Sequence, residues 1–143
     1  MAEIDLGNTT IDEKSSPYII AEIGVNHEGS LEKAKELIGL AKEGGANAAK
    51  FQTYKADSIA SVHSPAYWDR TKEKTGSQHE LFLKYDSFNE KDYIALFQHC
   101  QDVKIDFLST PFDADAVDFL DPLMSFFKVA SADITNMPFL RKI

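Results

Sequence analysis

The feature that most constrains this chain is an alternation. Four times along 143 residues, a short run of β-forming apolar residues gives way to a polar loop and then to apolar residues at helical spacing. Strands apolar on both faces with helical returns between them build a parallel sheet covered by helices, so the expected class is α/β. The first run is residues 18–23, followed by Gly24 and the polar stretch 26–29. Ser30 is placed to cap a helix whose apolar positions are Leu31, Ala34, Leu37, Ile38 and Ala41, with Gly44 and Gly45 as its stop. Residues 46–52 form the second strand, although their alanines are poor strand formers.

A long polar segment, 53 to about 86, comes next and holds the only tryptophan, Trp68, and a charged run at 69–74 that reads as a solvated face. Loops of this length in a compact domain tend to be functional or disordered. A helical turn is expected within it at 79–85. Residues 87–90 (Ser-Phe-Asn-Glu) match a capping box, and Tyr93, Leu96, Phe97 and Cys100 give the buried stripe of the helix that follows. Residues 105–110 are the third strand. Asp113 caps a short helix carrying Ala116, Val117 and Leu120, and Pro122 closes it. Residues 125–131 are expected to be a fourth strand, with a fourth helix starting near Pro138. Residues 1–16 are polar and aperiodic, an arm or lead-in hairpin, and no linker divides 17–143.

Composition excludes several classes. With 43% hydrophobic residues, ten Phe and five Tyr, the chain buries enough surface to offset its ordering entropy, so disorder is not expected. A net charge of −8 argues against nucleic acid as a partner. No run of about 18 apolar residues predicts a membrane span, and the acidic start lacks the basic-then-apolar pattern of a secretory signal. The single cysteine, Cys100, fits a reducing cytoplasm, and its place on a helix stripe makes core packing the expected role.

In parallel α/β folds ligands bind at the carboxyl ends of the strands. Those ends carry Glu22, then Lys50 and Gln52, then Ser109 and Thr110, then Lys128 and Ser131. A lysine inside an apolar strand needs an anion, because an isolated buried ammonium is costly to desolvate. One reading is that a phosphate or carboxylate ligand satisfies both lysines, with the Ser109, Thr110 and Ser131 hydroxyls adding hydrogen bonds. The other is that the lysines pair with internal carboxylates such as Glu22. Two lysines with three hydroxyls shift the balance toward the ligand. Glu22 alone is open between general base, lysine partner and substrate acceptor. His27, just past the first strand, is open between polarising a substrate, binding a metal and organising the loop, the last favoured at least equally because no second His or Cys stands at ligand spacing, and Asn26 is similar. His63, His79 and His99 are scattered and read as surface residues.

Specific motifs then become recognisable. The stretch Ile20-Ala21-Glu22-Ile23-Gly24-Val25-Asn26-His27-Glu28-Gly29-Ser30 resembles the first strand and loop of the sialic acid synthase family. Ala49-Lys50-Phe51-Gln52-Thr53, Leu108-Ser109-Thr110-Pro111-Phe112-Asp113 and Phe127-Lys128-Val129-Ala130-Ser131 match in the same order. Tyr67-Trp68 and Glu80-Leu81-Phe82 also look like the bacterial members, which include spore coat polysaccharide biosynthesis proteins.

The resemblance implies a (β/α)8 barrel of the TIM-barrel type, followed in the family by a small antifreeze-like domain. It implies condensation of phosphoenolpyruvate with an N-acetylated hexosamine such as N-acetylmannosamine, with release of phosphate. Carried over by position, Lys50, Thr110, Lys128 and Ser131 would bind phosphoenolpyruvate, Gln52 and Asp133 would face the sugar, and Glu22 would be a candidate acid/base. Asp133 stands where some members carry Glu. A divalent metal, manganese or magnesium, is implied for the complete enzyme, with its histidine ligands in the second half of the barrel, so none of the four histidines here is assigned to it.

A complete barrel takes about 250 residues. The chain is therefore expected to hold four βα units, the N-terminal half of a barrel in residues 17–143, from a cytoplasmic enzyme that is a homodimer when complete. Alone it is expected to be inactive. A non-catalytic half-barrel assembly module and a related keto sugar acid synthase are the other expectations.

Overall fold

The computed structural model describes residues 3–143. Its first feature is the lead-in hairpin, in which β1 (Ile4–Asp5) and β2 (Thr10–Ile11) pair antiparallel. The main sheet follows, with β3 (Ile20–Gly24), β4 (Ala48–Thr53) and β5 (Asp106–Pro111) side by side in that order and parallel. Helix α1 (Leu31–Glu43) connects the first two strands. Helices α2 (Ala56–Ile59), α3 (Gln78–Tyr85) and α4 (Glu90–Val103) lie between the second and third, and α5 (Ala114–Leu120) and α6 (Met137–Lys142) come after.

Local chemistry explains the helix starts. Ser30, Ser77 and Asp113 each accept a backbone N–H three residues on, giving an orphan donor of the first turn its partner. At α4 the capping box is formed by Asn89 and Asp92 rather than by Ser87 and Glu90. Asn89 is the residue that leaves the helix in extended conformation, so its side chain and not that of Ser87 reaches the first turn.

Period-two alternation splits the sheet into two unlike faces. Ile23, Ala49, Phe51 and Phe107 point to one side, where they join Ala34 and Ile38 of α1 and Tyr93, Leu96 and Cys100 of α4 in a single buried cluster. Ala49 keeps the surface of β4 flat where α1 packs, and both flanking ladders hold the strand against the weak propensity of its alanines. The opposite face carries Glu22, Lys50, Gln52, Leu108 and Thr110.

The expected fourth strand does not form. Residues 125–130 make no ladder, and residues 131–133 are a 3-10 turn. The reason lies at the edge of β5, where the Ser109 amide that a neighbouring strand would use donates to the Met124 thioether at 2.9 Å. The chain is therefore held at the β5 edge by a side chain, not by paired backbone. Among the described residues no helix is long and apolar enough to cross a membrane.

Candidate functional site

Register assembles the site. Glu22 pairs with Lys50 across the β3–β4 ladder, Lys50 with Leu108 and Gln52 with Thr110 across β4–β5. Four polar side chains thus converge on the face that the helices leave uncovered. Lys50 sits in the middle with only 7% of its side chain exposed, and its Nζ forms an ion pair with Glu22 Oε2 and donates to Thr110 Oγ1 at 3.4 Å. Glu22 is different, with 51% of its side chain in water. The internal pairing that the sequence left open is therefore present, and it is lopsided, with a buried cation held by a carboxylate that solvent reaches.

A bulge ends β3 just above this pair, because Gly24 rather than Ile23 lies opposite Phe51. Gly24 has φ +57°, and a Cβ there would stand 3.1 Å from Glu22 Oε1 and 3.3 Å from Gln52 Nε2. Glycine answers both demands, the left-handed backbone and the room for two polar side chains.

One step of about 7 Å up the strand from Lys50 the lining turns to amide and aromatic side chains, with Asp133 as its acidic member. Gln52, Tyr54, Phe82, Phe112, Asp133 and Asn136 line a cleft of about 360 Å³. Gln52 and Asp133, the two expected sugar-facing residues, are thus brought to one cavity. Asn136 donates to Asp133 Oδ1 at 3.4 Å, and the 3-10 turn at Ser131–Asp133 carries the aspartate to the rim.

Other expected residues are placed elsewhere. Ser109 points to the helix-covered side, where its hydroxyl bonds Thr53 at 2.7 Å, so it does not join the anion site; strand alternation puts neighbours Ser109 and Thr110 on opposite faces. Lys128 is exposed and lies in no strand, so the expectation of two buried strand lysines holds for Lys50 alone. Ser131 is also exposed.

His27 is buried and stacks on Phe88 with ring centroids 4.1 Å apart, and its Nδ1 accepts the Gly29 N–H at 3.1 Å. Burial, with a smaller contribution from the Lys33 charge, lowers its pKa below the usual histidine range. Its observed contacts organise the loop after β3. His63 is exposed, and His79 is bonded to Asp57 at 2.7 Å. Cys100 is fully buried in the core.

Several supporting residues escaped the reading of the sequence. Tyr93 of α4 donates its hydroxyl to the Gln52 carbonyl at 2.7 Å and so fixes the end of β4 from the core side. Tyr54 donates to the Phe82 carbonyl at 3.2 Å, and Asp86 binds both Lys55 Nζ and the Ala56 N–H, which together pin the long 54–86 segment over the strand end. For Tyr54 and Phe112 a signal existed. They follow Gln52 and Thr110 by two residues, the strand period.

Comparison with known proteins gives the family and the fold. The family model described as the NeuB family matches residues 37–143. The chain is 42% identical over 127 residues to the N,N'-diacetyllegionaminic acid synthase of Legionella pneumophila, covering 87% of this chain and 35% of that one. It is 37% identical over 133 residues to the N-acetylneuraminate-9-phosphate synthase of Drosophila melanogaster, covering 89% of this chain and 34% of that one. Among solved structures, the N-acetylneuraminic acid synthetase of Leptospira borgpetersenii superposes with a TM-score of 0.79 at 31% identity, over 99% of this chain and 45% of that one. The chain spans about a third of the length of the curated relatives it matches. With the family model covering most of its residues, the chain belongs to the NeuB family, whose named members here are acid-sugar synthases.

Proposed function

We propose that these residues carry the phosphoenolpyruvate-binding part of a synthase that joins phosphoenolpyruvate to an N-acetylated hexosamine, such as N-acetylmannosamine, and releases phosphate. The observation that supports this reading is the buried Lys50 at the centre of the uncovered sheet face, with Thr110 beside it and a half-exposed carboxylate as its partner. A doubly anionic substrate offers that ammonium a stronger partner than one carboxylate does. Lys128 and Ser131 add a second cation and a hydroxyl from the segment after β5. Gln52 and Asp133 bind the sugar in the cleft above, where aromatic walls and amide groups suit an uncharged polyol with an acetamido group. Glu22 stands between the two regions as the group that exchanges a proton with the acceptor.

Among the described residues no group of three or more His, Cys, Asp and Glu side chains is arranged to hold a metal ion, and His27 Nδ1 is already committed to Gly29. We propose that the manganese or magnesium of the complete enzyme is held by histidines of the second half of the barrel. We also propose that the complete enzyme is a cytoplasmic homodimer and that these 143 residues by themselves bind phosphoenolpyruvate without turning it over.

Calorimetric titration of phosphoenolpyruvate into the chain and into its Lys50→Met variant tests the site. Binding by the parent and loss of at least tenfold in the variant is the expected result; equal affinity refutes it. Incubation with phosphoenolpyruvate, N-acetylmannosamine and manganese should release no phosphate above background, and turnover like that of a full-length synthase would overturn the proposal that these residues bind without turning over.

One observation favours a second reading, an assembly module. β3 is an edge strand of the three-stranded sheet and begins with Ile20, which is 37% exposed, so its outer backbone groups invite pairing. Sedimentation of the chain as a stable monomer at high concentration would dismiss it.

A further inference from the structure

The Lys50–Glu22 pair is asymmetric in a way that bears on how the site works. Lys50 is 7% exposed, issues from the central strand and cannot withdraw its ammonium from the sheet face. Glu22 lies on an edge strand, 51% exposed, and needs only side-chain rotation to place its carboxylate in water. Space for that motion is built in. At Gly24 no Cβ crowds Glu22 Oε1 or Gln52 Nε2, which flank the position at 3.1 and 3.3 Å from where a Cβ would stand. An anion arriving at Lys50 must take the place that Glu22 now fills, because two negative groups on one ammonium repel each other.

We infer that Glu22 is the resident anion of the Lys50 site, neutralising the ammonium until a phosphate or carboxylate of the substrate takes it over. Displaced, the carboxylate is set free beside the Gln52 amide at the foot of the cleft, where an acceptor hydroxyl or aldehyde hydrate can donate to it. The cost of breaking the pair is subtracted from the affinity for the anion, so binding of the anion and release of Glu22 are one event. The inference rests on the anion-binding reading of this face.

The test is a comparison of signs. Removing a group that merely shapes an anion site leaves affinity unchanged or lowers it, whereas removing a competitor raises it. The 143-residue chain, Glu22→Gln, Glu22→Asp and Lys50→Met are each titrated with phosphoenolpyruvate and, separately, with inorganic phosphate, and thermal unfolding is followed with and without each anion. Glu22→Gln should bind about tenfold more tightly than the parent, the order expected for one charge-assisted contact no longer broken. Glu22→Asp should fall between them, and Lys50→Met should not bind. Glu22→Gln should also unfold at a lower temperature than the parent without anion and recover more than the parent gains when anion is added.

If Glu22→Gln folds only in the presence of the anion, the inference is supported; if it fails to fold and no anion rescues it, the inference falls. Equal or weaker binding by Glu22→Gln, with Lys50→Met still silent, overturns the competition and leaves the anion site standing. Failure of the parent and Glu22→Gln to bind either anion overturns both.

Discussion

Replacing Lys50 by methionine separates what the residue does for the fold from what it does for a ligand. The side chains are similar in length, so the substitution exchanges a charge for apolar surface at a site 7% exposed. Three quantities decide the outcome. Lost are the attraction to Glu22, about 1–4 kcal/mol for charges in contact near a protein surface, and a Thr110 hydrogen bond that at 3.4 Å lies at the long limit and contributes little. Gained is relief from desolvating an ammonium, which amounts to several kcal/mol in real proteins. Glu22, half in water, rehydrates when its partner goes and leaves no buried charge behind. The expected result is a chain as stable as the parent or more stable by up to about 2 kcal/mol.

Urea unfolding measures this. With a slope of about 2 kcal/mol per molar urea, the midpoint stays put or rises by up to about 1 M. Glu22→Gln is the opposite perturbation, because it leaves the ammonium buried and unpaired, and should cost about 1–3 kcal/mol. A fall of more than about 1 M for Lys50→Met, matching that of Glu22→Gln, would refute the reasoning. The pair would then be a stabilising element of the sheet, and no anion would be needed to account for it.

Further expectations follow from single contacts. Tyr93→Phe removes the 2.7 Å bond to the Gln52 carbonyl and should lower stability by about 1–2 kcal/mol in the same urea assay; no change would mean water replaces the hydroxyl. His27 has its pKa lowered by burial and by Lys33, so the unfolded chain binds its proton more readily than the folded one does. Its contribution is fully present above the ordinary value of 6.5 and is lost as pH falls through 6.5 toward the folded value, so stability should decline from pH 7 to pH 5 with a slope that His27→Gln flattens. Burial, with a smaller contribution from Asp106, pushes the Cys100 thiol up to about 12, so labelling by a thiol reagent at pH 8 should track unfolding, and rapid stoichiometric labelling of the folded chain would contradict its burial.

What the sequence discloses and what it hides divide along a physical line. Strands β3 to β5 and the helices on their core side follow from periodicity and from caps such as Ser30 and Asp113, because those signals are local. The strand expected at 125–131 is equally apolar and does not form, because a strand exists only through its partner, and here Met124 takes the Ser109 amide that a ladder would need. The same limit governs the site. The strand ends bring Glu22, Lys50, Gln52 and Thr110 together because register and alternation carry them to one face. Ser109 sits next to Thr110 in sequence yet does not join them, because adjacent residues of a strand face opposite ways and Ser109 bonds Thr53 in the core. The open choice between an internal carboxylate and an external anion for Lys50 was resolved only by exposure. Glu22 pairs with the lysine yet stays half in water. A partner so placed satisfies the cation while leaving it available, and that makes the two readings successive states of one site rather than rivals.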